Sequence, residues 1–251
     1  MRRVGVVKEK IMKIRDIYQK LNEISPFELQ EKWDNSGLLV GDMNREFEQI
    51  AIGLDVDEKS LDQAKENTLF IVHHPLIFSG LKQLDFAIYP SNLIEIMVKK
   101  NLSLIAMHTN FDKTHLNAYV FEKVLGFEKT AQRDFICQTT GVWHKDALIK
   151  HLKERLGLKT LRVVAPKAKI HSIALTTGAG ASLMDEVEAD CFLTGDIKYH
   201  DAIKAMSQGL MMVDIGHYES EQFFVEVMEQ ELKNLGILGI ISPSQNPFEI
   251  I

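Results

Sequence analysis

Phe70-Ile71-Val72-His73-His74-Pro75-Leu76 sets two imidazoles at the end of an uninterrupted apolar run, and Pro75 stops any sheet ladder directly after them. Such a run, bounded in this way, predicts a buried strand over 69–72. Working outward, the spacing of apolar residues predicts an amphipathic helix over 91–100. A second apolar strand follows over 102–107, then at once His108-Thr109-Asn110-Phe111-Asp112. Strand, helix, strand, with polar residues gathered just past each strand, is the pattern of an α/β fold whose functional loops lie at strand C-terminal ends. The same reading predicts strands over 50–54, 136–142, 161–165, 173–177, 191–193, 210–214 and 237–241. It predicts further helices over 60–67, 116–125, 147–156 and 220–235. Near the start, Ile14, Ile17, Tyr18, Leu21 and Ile24 recur at helical spacing. Ser25-Pro26-Phe27-Glu28 then looks like a second helix start, and Asp34-Asn35-Ser36-Gly37 like the turn that ends it.

The 251 residues are 45% hydrophobic and 25% charged, with 29 basic against 35 acidic groups and a formal charge of −6. That balance argues against a protein that coats nucleic acid or an anionic membrane. No run approaches the roughly 18 apolar residues of a membrane span. Val4-Gly5-Val6-Val7 is too short for a signal-peptide core. Met12 restarts the chain before the first helical pattern, so residues 1–11 read as a possible appended tail. Cys137 and Cys191 are the only cysteines, far apart; they exclude a disulfide scaffold or thiolate zinc cluster, fit a reducing cytoplasm, and read as core. Nine histidines stand against those two cysteines.

The histidines gather in four places. His73 and His74 end a strand; neighbouring strand residues point to opposite faces, so either one imidazole faces a pocket or the turn splays both toward it. Backbone carbonyls satisfying both rings is the plainer alternative. His108 and Asp112 lie four residues apart past the strand 102–107, where Asn110 or Asp112 could instead cap a helix. His217 and Glu221, at i and i+4, share one face of a helix's first turn, a workable metal pair; an acidic turn answering the helix dipole is the alternative. Thr194-Gly195-Asp196-Ile197-Lys198-Tyr199-His200 follows a fourth strand. Recurrence of imidazole with carboxylate just past four strands points to one site. Nitrogen and oxygen donors without sulfur suit zinc, manganese, iron or nickel. His73, His74, Asp112, His217 and Glu221 are too many for one catalytic ion with an open position, and suffice for two ions with a bridging carboxylate. His115 stays undecided, and His144, His151 and His171 read as ordinary.

Trp33-Asp34-Asn35-Ser36-Gly37-Leu38, His73-His74-Pro75, His108 to Asp112, Thr194 to His200 and Gly216-His217-Tyr218-x-Ser220-Glu221 occur in one order that resembles the GTP cyclohydrolase 1 type 2 homologues, also called the Nif-three-like family. The resemblance runs from about Met12 to the C-terminus, in the short form without an inserted domain. It implies two similar α/β domains with mixed sheets flanked by helices, with a dinuclear metal site at strand C-terminal loops between them. The expected division is 1–127 plus 208–251 for the first domain and 128–207 for the second. By motif, His73 and Asp112 hold one divalent ion, His74 and His217 the other, and Glu221 bridges both. His108 lies beside the ions, and His200 is a proton donor or acceptor. Gly178-Ala179-Gly180 stands where the family has Gly-Ser-Gly, which leaves a backbone role and removes a hydroxyl. The resemblance further implies a ring-shaped homohexamer and a GTP substrate, whose purine ring is opened by a metal-activated water to give dihydroneopterin triphosphate and formate, toward folate. Two other readings stay open: a metal-dependent phosphoesterase or nucleotide hydrolase, and a non-catalytic metal-binding scaffold. No P-loop is present.

Overall fold

The computed structural model describes residues 12–242 and 244–249. The expected tail at 1–11 lies outside the described residues. In chain order the strands are β1 (Gly37–Val40), β2 (Gln49–Gly53), β3 (Thr68–Val72), β4 (Ser103–Ala106), β5 (Ala131–Arg133), β6 (Ile136–His144), β7 (Arg162–Val164), β8 (Lys169–Leu175), β9 (Cys191–Thr194), β10 (Met211–Asp214) and β11 (Ile240–Ile241). They form two mixed sheets flanked by helices, one ordered β1-β4-β3-β2-β11 and the other β5-β6-β8-β9-β10-β7.

In the first sheet β4, β3, β2 and β11 run parallel, and β1 closes the edge antiparallel to β4. In the second, β8, β9 and β10 are parallel, with antiparallel strands on both sides. Every residue of β3, β4, β9 and β10 is buried, as central parallel strands covered on both faces require, which is why they read as continuous apolar runs. Cys137 and Cys191 are fully buried within this core, and burial pushes both thiols up to about 12.

The first helix, Ile14–Ile24, buries the stripe Ile14, Ile17 and Leu21. The helix expected after it is a correction: only the 3₁₀ turn Phe27–Leu29 forms. Ser25 is fully buried, and its carbonyl and hydroxyl are taken by Asn110 and Thr114, so it does not cap a helix. The expected second seam is also corrected. Strand β10 joins the second sheet, parallel to β9, so the chain returns to the first sheet after Asp214 and not at 208. A four-residue apolar run carries no label for which sheet will take it.

Past β4 the helical run is mixed: Thr109–Phe111 and Asn117–Tyr119 are α-helical, whereas Asp112–Leu116 and Val120–Val124 are π-helical. The helix expected over 220–235 is two pieces, His217–Glu221 and Phe224–Asn234. Among the described residues no helix is long and apolar enough to cross a membrane.

Candidate metal centre

The carboxyl ends of parallel strands from both sheets meet at one place. Past β3 the ladder has ended, and the amides of His73 and His74 both donate to the Leu54 carbonyl, at 3.1 and 3.0 Å. That shared acceptor bends the backbone so that both rings approach the same carboxylate, Glu221, with centroids 4.9 Å apart. Asp112 arrives from β4 on the first π-helical turn. His217 and Glu221 arrive from β10, where the positive φ of Gly216 turns the chain into Gly216's following helix.

Glu221 is the meeting point. Its Oε2 lies 2.9 Å from Nε2 of His74 and 2.9 Å from Nε2 of His217, and those two nitrogens are 3.3 Å apart. Its Oε1 lies 3.7 Å from Nε2 of His73, which in turn is 3.5 Å from Oδ1 of Asp112. Two donor sets result, His74/His217/Glu221 and His73/Asp112/Glu221, with the atoms of each within 4.8 Å of one another. A third set of the same compactness is His73/His74/His108.

The residues fit a cation. His73 Nε2 and Asp112 Oδ1 are buried, face each other and have no hydrogen-bond partner, an arrangement that costs about 1–3 kcal/mol per group without one. The donor set is nitrogen and oxygen only, which suits first-row divalent ions. Electrostatics agree. Burial and the neighbouring Glu221 push the Asp112 carboxyl up, and burial pushes the His73 imidazole down. Burial opposes ionisation of Glu221, but the surrounding histidines hold it well below the usual carboxylate range. Burial likewise opposes protonation of His74, yet hydrogen bonds to Asp55 and Glu221 raise it to about 10. The hydrogen bond to Glu221 leads in raising His217 to about 9. Excess negative charge is thus already drawing positive charge to this spot.

Each imidazole is held from behind. His73 Nδ1 donates to the Met107 carbonyl at 2.9 Å, His74 Nδ1 to Asp55 at 2.8 Å, His217 Nδ1 to Asp196 at 2.7 Å and His108 Nδ1 to Asp34 at 2.7 Å. With Nδ1 committed, Nε2 is the atom presented forward, the arrangement that orients metal-binding histidines. The sequence reading missed Asp55 altogether and took Asp34 and Asp196 only as parts of longer stretches. A signal existed for Asp55: it lies two residues past β2 as His74 lies two residues past β3. Behind Glu221 stands Gly178, at φ +60°, where any Cβ would overlap Glu221 Oε1. The backbone role expected of Gly178-Ala179-Gly180 has this physical content.

The structure brings together His73, His74, Asp112, His217 and Glu221, together with His108, whose ring lies 5.1 Å from that of His73 and 5.7 Å from that of His74. It does not bring in His200, which is exposed on the helix Tyr199–Gln208, edge-on to Tyr199, and does not line the cavity. A strand end predicts proximity to a loop cluster, but the helix beginning at Tyr199 carries His200 away. His115 stacks on Phe111 at 4.8 Å, and His151 bonds the Leu125 carbonyl at 2.7 Å. The centre opens onto a cavity of about 600 Å³, within the range of small-molecule sites, whose lining includes His74, His108, Asp112, His217 and Glu221.

Residues 12–247 match the family model Duf34/NIF3 (NGG1p interacting factor 3). A Campylobacter jejuni protein named GTP cyclohydrolase 1 type 2 homolog is 45% identical over 239 residues, covering 95% of this chain and 99% of that relative. The GTP cyclohydrolase 1 type 2 of Helicobacter pylori is 41% identical over 240 residues, again covering 95% of this chain and 99% of the relative. Among solved structures, a Staphylococcus aureus hypothetical protein superposes with a TM-score of 0.79 at 26% identity, covering 96% of this chain and 100% of the other.

Proposed function

We propose, on the premise that the chain belongs to the Duf34/NIF3 family, that it is a dinuclear metal-dependent hydrolase opening the purine ring of GTP, with dihydroneopterin triphosphate and formate as products. The observation that carries this reading is the pair of donor sets sharing Glu221 at the wall of a cavity of about 600 Å³. His73 and Asp112 would hold one ion and His74 and His217 the other, with Glu221 common to both; zinc, manganese, iron and nickel all suit these donors. Bound there, such ions supply acidified water and polarise a substrate oxygen.

The chain's own residues do the rest. Asp55 and Asp196 keep the His74 and His217 rings aimed forward. Asp34 fixes the His108 tautomer with its proton on Nδ1, leaving Nε2 as an acceptor on the cavity wall. His108 is therefore the group that takes and returns a proton at the substrate. His200 has no part in this scheme. The ring-shaped homohexamer belongs to the same proposal, and light scattering on the eluted protein checks it.

The test is turnover. Protein loaded separately with zinc, manganese, iron and nickel is incubated with GTP, and formate and pterin fluorescence are followed. Both products are expected, in equal amounts, with at least one metal. Metal-dependent phosphate release without formate would replace the cyclohydrolase reading with a phosphoesterase one.

A further inference from the structure

Two large aromatic side chains are left exposed where they line the cavity: Trp33, 59% exposed, and Phe78, 49% exposed. Their ring centroids are 5.9 Å apart, and both meet the His108 ring edge-on, at 6.3 and 6.4 Å. His108 is 5.7 Å from His74, so the aromatic surface begins one ring away from the donor sets.

The surface is firmly mounted. Asp34, next to Trp33, has a fully buried carboxylate that takes hydrogen bonds from the His108 ring, the Thr109 amide and the hydroxyls of Ser36 and Thr109. The Asn35 side chain donates to the Ile77 carbonyl, one residue before Phe78. One short turn thus fixes Trp33, Phe78 and His108 relative to each other. Apolar area held rigidly in solvent contact beside polar chemistry is the mark of a ligand surface.

The charges of the lining indicate which part of a ligand it meets. Among the described residues no lysine or arginine lines the cavity. The lining carboxylates Glu31 and Asp134 are paired with Lys113, and Glu186 with Arg133, cations that lie outside the lining. Among the described residues a polyphosphate thus finds no lysine or arginine in the lining, whereas a flat ring finds two aromatic faces.

We propose that Trp33 and Phe78 form a stacking platform that binds a planar heteroaromatic base, so that substrate is selected by its ring and not by its phosphates. The choice of guanosine as probe rests on the hydrolase reading above; the platform itself does not. Stacking on Trp33 contributes binding wherever a base is present and none where only phosphate is.

The experiment uses the full chain in a Trp143→Phe background, so that Trp33 is the only tryptophan. Guanosine is expected to quench Trp33 emission saturably, and tripolyphosphate is not. Phe78→Leu in that background is expected to weaken guanosine binding about tenfold, the scale of one lost base–aromatic stack. Trp33→Leu, followed by calorimetry, is expected to do the same at unchanged metal content, and Trp33→Phe to restore most of the affinity. Both aromatics are about half exposed, and neither belongs to the buried core, so these variants leave the core intact. Unaltered guanosine affinity in both Leu variants would overturn the platform, as would a changed oligomeric state with no change in ligand binding. The two proposals fail separately. Quenching by guanosine without formate release removes the reaction and keeps the platform; GTP turnover with an unchanged KM in Trp33→Leu removes the platform and keeps the reaction.

Discussion

At the scale of single residues, Glu221 carries the most. It is the carboxylate shared by the His74/His217 and His73/Asp112 donor sets, so Glu221→Gln should weaken both at once while keeping the side chain's shape. Elemental analysis after gel filtration should find two ions per chain in the parent and less than one in the variant. The titrations have a definite sign. His74 and His217 ordinarily titrate near 6.5 and are raised to about 10 and about 9 beside their carboxylates. Their protonated contacts therefore stabilise the metal-free fold fully below about pH 6.5, and that contribution is lost as pH rises through 9 and 10. Metal binding runs the other way, because each ion must displace those protons. Between pH 7 and 9 the metal-free melting temperature should fall while metal affinity rises; parallel melts in chelator and metal titrations check the opposition. The clustering of these histidines and carboxylates was legible from sequence because imidazole and carboxylate recur just past strands. Their orienting partners were not, since Asp55, Asp196 and Asp34 lie 19, 21 and 74 residues from the histidines they hold, and only folding makes them neighbours.

At the scale of elements, the long apolar runs announced their strands, from β2 and β3 to β9 and β10. Strands β1 and β5 were missed. β5 is Ala-Gln-Arg, exposed at every residue, and pairs only with β6, so it has no hydrophobic signature to read. The π-helical turns were equally silent, because an i to i+5 bond leaves no recognisable composition; such turns are found frequently at functional sites, and Asp112 opens one of them. The turn at Gly178 makes its own prediction. Gly178→Ala meets both a left-handed backbone and the Glu221 carboxylate, so it should lower stability by at least about 1 kcal/mol and displace that carboxylate. A lower melting temperature together with reduced metal content is the expected pair. A drop in stability alone would mean that Glu221 holds its place without the glycine.

At the scale of the whole molecule, the α/β class and the pairing of two mixed sheets were readable, while the point of return to the first sheet was not. The donors themselves divide between the sheets: His73, His74 and Asp112 follow strands of the first, His217 and Glu221 a strand of the second. Each proposed ion therefore takes donors from both. Chelation should lower the melting temperature of the entire chain in one transition, by an amount that grows with the free metal concentration beforehand, about 2.7 kcal/mol per site at a hundredfold excess over Kd. Two separate transitions would show the sheets unfolding independently. The same division governs the order of events during synthesis. His74 leaves the ribosome 147 residues ahead of Glu221, so an emerging chain offers its first histidines long before either donor set can close. An ion that needs Glu221 as a donor can then be captured only after the second sheet's strand β10 and the helix behind it have been made, which ties metal uptake to synthesis of both halves of the site.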